Sequence, residues 1–121
     1  MPVPFLGFSL LAALCHLLFF GLESLAWRTG AVRRIFRQTE AQAETTRGLA
    51  FNQGFYNLFL AIGIVFGLIM GGVAGHAIVV FACFSIVGAA VVLAFGGSQY
   101  FRAAFAQGIT PAIALILGAV L

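Results

Sequence analysis

The chain contains no lysine and no aspartate, so all of its charge rests on six arginines and three glutamates among 121 residues. Charged residues make up 7% of it against 63% hydrophobic ones, far below the roughly 25% charge of a soluble domain. That scarcity excludes an ordinary soluble fold and implies a membrane protein. Five of the six arginines lie between Arg28 and Arg47, in a short connector between hydrophobic segments. They therefore form a topology signal rather than a spread basic surface, and nucleic acid is not an expected partner. Only two cysteines occur, Cys15 and Cys83, far apart and without metal-ligand spacing, which leaves them as buried apolar side chains. No metal site and no cofactor is expected.

What remains is four long apolar runs. They are read as spans at about residues 4–27, 49–70, 77–95 and 103–121, each close to the roughly 20 residues a bilayer requires. The expected fold is all-α: a polytopic membrane protein with four transmembrane helices in an up-down bundle, forming one domain over residues 1–121 with no room for an extramembrane domain. The first run lacks a basic leading segment and is too long for a cleaved signal, so it should stay as a helix. Thr39 with Gln42 forms a capping box that starts the second helix at Glu40, well before its apolar part. Glu44 and Arg47, three apart on that extension, can pair as solvated ions. Gly71 to Gly75 is read as a tight turn, and the third span, almost free of polar residues, as the helix expected to show a broad face to lipid. Arg28, Arg33, Arg34 and Arg37 in the first connector agree with Arg102 in the third. By the positive-inside rule that side is cytoplasmic, and both termini are extracytoplasmic.

Glu23 is the only acid within an apolar run, and a carboxyl there is costly unless partnered. The segment Asn52-Gln53-Gly54-Phe55-Tyr56-Asn57 offers partners, and Gln107 in the fourth span another. At 100° per residue, Asn52, Gln53, Tyr56 and Asn57 span about 140°, together with Gly63 and Gly67, a side expected to turn inward or toward another subunit. His16, Glu23 and Trp27 fall within about 40° of one another. Counted from the span ends, Glu23, the second-span cluster and Gln107 share the cytoplasmic leaflet, whereas His16 lies about 10 Å deeper and fits best as a packed neutral imidazole. Pro111 should free the Gln107 carbonyl and kink the fourth helix.

Glu23 with Trp27, the run Asn52 to Asn57, and Gln107-Gly108 followed by Pro111-Ala112 resemble the signature positions of a widespread bacterial family of small four-span membrane proteins, catalogued as a domain of unknown function. The resemblance covers nearly the whole chain. It implies a four-helix integral fold in a bacterial inner membrane and no activity. A weaker likeness is to the eicosanoid and glutathione metabolism membrane proteins, four-span trimers whose second span holds glutathione. Asn52 and Tyr56 match that pattern, but Phe55 stands at the glutamate position and Gly48 at the arginine position, so the charged clamps are missing. That likeness implies a homo-oligomer, a trimer or a dimer.

The leading expectation is a protein that binds or transports a small amphipathic molecule at Glu23, Asn52, Gln53, Tyr56, Asn57 and Gln107, with His16 deeper, and with Phe19, Phe20 and Phe55 walling its tail. The alternatives are an intramembrane enzyme on a lipophilic substrate, transferase-like or isomerase-like, with Glu23 as general acid or base, and a structural subunit of a membrane complex.

Overall fold

The computed structural model describes residues 1–121. It holds five α-helices and no strand: α1 (Val3–Phe20), α2 (Gly30–Phe36), α3 (Glu40–Met70), α4 (Gly72–Phe95) and α5 (Phe101–Val120). A π-helical turn, Gly21–Leu25, extends α1, and a 3₁₀ turn, Ser98–Tyr100, leads into α5. With these extensions α1, α3, α4 and α5 are long and apolar enough to cross a membrane. The four pack as a ring in the order α1, α3, α4, α5, with α3 and α5 on opposite sides.

Local chemistry explains where the helices begin and end. Thr39 Oγ1 accepts from the Gln42 amide at 3.1 Å while Gln42 Oε1 accepts from the Thr39 amide at 2.8 Å, so the expected capping box opens α3. Such a cap contributes about 1 kcal/mol. At the other end of α3 the turn is shorter than Gly71 to Gly75: only Gly71 interrupts the helices, and α4 begins at Gly72, five residues before Ala77. Gly71 and Gly72 have φ of 64° and 62°, which residues with a Cβ rarely adopt. The arginine-rich connector contains α2, whose N-cap Thr29 accepts from the Val32 amide at 3.3 Å. Pro111 lies buried inside α5, which continues through it.

The core is made of small and medium side chains: Phe5, Ala12 and Ala13 from α1, Ala61 and Ile64 from α3, Val79, Ala82, Cys83 and Ile86 from α4, and Ala114 from α5. Lipid is as apolar as leucine, so membrane helices gain by close packing of small residues rather than by hydrophobic burial. For the same reason apolar composition does not tell core from lipid face. Within the chain α5 is the least covered span, with 17% of its apolar stretch buried against 28% for each of the other three.

Candidate functional site

The arginine-rich end is built around the π turn. There the Ala26 amide donates to the Gly21 carbonyl, five residues back, at 3.0 Å. One extra residue in a helical turn rotates the downstream residues out of α-helical phase, and such turns recur at functional sites. Glu23 and Ser24 sit within it, and the helix ends at Leu25. Trp27 is therefore beyond the helix and does not continue the stripe of His16 and Glu23; its indole Nε1 donates to Thr46 Oγ1 at 3.1 Å and its ring lies 4.9 Å from that of Phe36.

Glu23 meets α3 through Asn57, whose Nδ2 donates to the carboxyl Oε1 at 2.5 Å. Asn57 is buried and Glu23 half-buried. One turn before Asn57, Gly54 allows the approach: a Cβ there would overlap the Ser24 side chain. The Ser24 hydroxyl donates to the Phe51 carbonyl at 2.8 Å, which fixes the π turn against α3.

Toward water the same end opens into a groove of about 1270 Å³. Glu23, Ser24 and Trp27 line one side, and Glu40, Glu44, Arg47 and Phe51 of α3 the other. All three of the chain's glutamate carboxyl groups line this groove, with Arg28 and Arg47 as its only cations. Both arginines engage Glu44, Arg28 at 3.1 Å and Arg47 at 4.0 Å. Glu23 and Glu40 are left without a cation. From Phe51 a row of rings continues along α3, with centroids 5.0 Å apart from Phe51 to Phe55 and 6.3 Å from Phe55 to Phe59. Phe20 of α1 stands edge-on to Phe55 at 5.1 Å. A polar groove thus runs into an aromatic strip.

Of the residues singled out from the sequence, the structure brings together Glu23 and Asn57. Asn52, Gln53 and Tyr56 are exposed on the outer side of α3. Gln107 is half-buried on α5, the span across the ring from α3. His16 is fully buried, as expected of a packed imidazole: its Nδ1 bonds the Ala12 carbonyl at 2.8 Å, its ring stands edge-on to Phe19, and its Nε2 has no partner. Gly67 provides the close approach expected of it, to α4, whereas nothing comes within 4 Å of a Cβ built on Gly63. Ser24, Thr46 and Arg28 carry no sequence signal that marks them as site residues. Gly54, the small residue beside the polar run, was the available sign that another chain segment presses there.

The matching family is described as a protein of unknown function (DUF1304), and its model covers residues 10–119. The chain belongs to that family. No curated protein and no solved structure matches it. The family match includes Glu23 and Asn57 and reaches into all four long helices, beginning seven residues into the first.

Proposed function

We propose that this chain is a multi-pass membrane protein that binds, and in a transport cycle moves, a small amphipathic molecule whose polar head carries a positive charge or donates hydrogen bonds. The observation that carries this reading is the continuity of the groove holding Glu23 with the phenylalanine row of Phe51, Phe55 and Phe59. A head would sit against the Glu23 carboxyl oriented by Asn57, and an apolar tail would lie along the rings. With three carboxyl groups facing two guanidinium groups that already share Glu44, the groove favours a cation over an anion. The arginine excess at this end supports placing the groove in the cytoplasmic leaflet of a bacterial inner membrane. Asn52, Gln53 and Tyr56, exposed on a spanning helix, would be covered by a second copy in a homo-oligomer.

The test uses two probes of equal size and opposite charge, tetraphenylphosphonium and tetraphenylborate, with the detergent-solubilised protein in equilibrium dialysis. The cation should bind more tightly, and Glu23→Gln should weaken it by about tenfold or more, a loss of about 1.4 kcal/mol, with the anion unaffected. Gln107→Ala should leave the cation's affinity unchanged. Equal affinity for both probes, or an unaltered cation affinity in Glu23→Gln, removes the assignment.

A further inference from the structure

A second basin in the connector shares no lining residue with the groove. Arg33, Arg34 and Arg37 crowd onto α2 and its C-cap, and the chain's two ion pairs use only Arg28 and Arg47. With Gly30, Gln38 and Thr39 the three arginines line a shallow basin of about 570 Å³ that contains no carboxyl group and no hydrophobic residue. Three guanidinium groups held together with no counter-charge repel one another. Two donor atoms in this cluster, Arg33 Nε and Gln38 Nε2, are buried without a hydrogen-bond partner. Buried donors in native proteins are almost always satisfied. Arg37 also adopts the left-handed conformation, φ 54° and ψ 48°, at a helix C-cap where glycine is the usual occupant. A side chain therefore stands where the backbone disfavours one.

Guanidinium groups gathered in a concave and uncompensated basic cluster, with Arg34 and Arg37 exposed, match the oxygens of a phosphate group. The basin's position selects the source of that phosphate. It sits in the connector between two spans, and Ile35, next to Arg34 on α2, is 61% exposed, so an apolar side chain adjoins the basic cluster where a headgroup region gives way to acyl chains. We propose that Arg33, Arg34, Arg37 and Gln38 hold the phosphate of an anionic phospholipid. Ile35 rests on its acyl chains. A general attraction of basic connectors to anionic leaflets predicts no dependence on these particular residues.

Native mass spectrometry of the intact protein, titrated with phosphatidylglycerol and in parallel with phosphatidylcholine, distinguishes the two. Phosphatidylglycerol should be retained at least about tenfold more tightly. The triple variant Arg33→Gln, Arg34→Gln, Arg37→Gln should fall to the phosphatidylcholine level, and Arg102→Gln should not. Arg37→Gly separates binding from folding. It relieves the left-handed residue, so its thermal midpoint by circular dichroism should equal or exceed that of the parent while its phosphatidylglycerol retention falls. Equal retention of the two lipids, parent-like retention by the triple variant, or displacement of the lipid by excess inorganic phosphate would each overturn the proposal.

Discussion

The two ends of the bundle use glycine for opposite purposes. At the Gly71 end a Cβ on Gly67 would stand 2.8 Å from the Gly75 carbonyl oxygen and from a Val79 methyl, and one on Gly75 would strike the Gly67 carbonyl. Backbone meets backbone, and Phe5 closes the end beneath, 5.0 Å from the His76 ring and against Gly118. At the arginine end Gly54 admits a side chain instead, Ser24, whose hydroxyl bonds the α3 backbone. The π turn then leaves room for a groove rather than a seam. One end is a clamp, and the other is an opening whose shape depends on a few polar contacts.

The contrast breaks most visibly at Gly67. Gly67→Leu has only rigid backbone to displace on one side, so it should destabilise the bundle by about 3 kcal/mol or more, seen as a lowered thermal midpoint or as failure to purify as a dispersed species. Gly63→Leu, one turn away in open space, should change stability by less than about 0.5 kcal/mol. Equal losses at the two positions would end the distinction between them, whereas a shift in oligomer size with Gly63→Leu alone would locate a neighbouring copy on that side. Asn57→Leu should cost about 1–3 kcal/mol, because it strips the carboxyl of its one donor, and should alter probe binding as well. Little is expected of Glu44→Gln. Its pairs with Arg28 and Arg47 are exposed and worth less than about 1 kcal/mol, so a larger drop in the denaturation midpoint would show that the groove's mouth is structural.

The spans were legible because bilayer thickness imposes a length and a composition that few other folds share. Thr39 and Gln42 marked the start of α3 because capping is local chemistry. The site was less legible for reasons that are equally physical. A π turn adds one residue to a helix without changing its composition, so helical phase carried from His16 to Trp27 fails at Gly21. Asn52, Gln53, Tyr56 and Asn57 share an arc, yet the neighbouring helix covers only part of it, and the sequence holds no record of where α1 ends its contact. Thr29 was a readable N-cap residue for α2, but without a Glu or Gln three residues on it lacked the fuller signature that Thr39 and Gln42 provide. Equal depth did not bring Gln107 to the Asn52 to Asn57 cluster, because ring order places α5 across from α3.

Trp27 is the chain's only tryptophan, and it lines the groove with its indole N–H bonded to Thr46. The molecule therefore carries one intrinsic indole fluorophore at the place where a ligand would enter. Its emission wavelength and quenching report on the groove alone, with no indole background from the closed end and no label to attach.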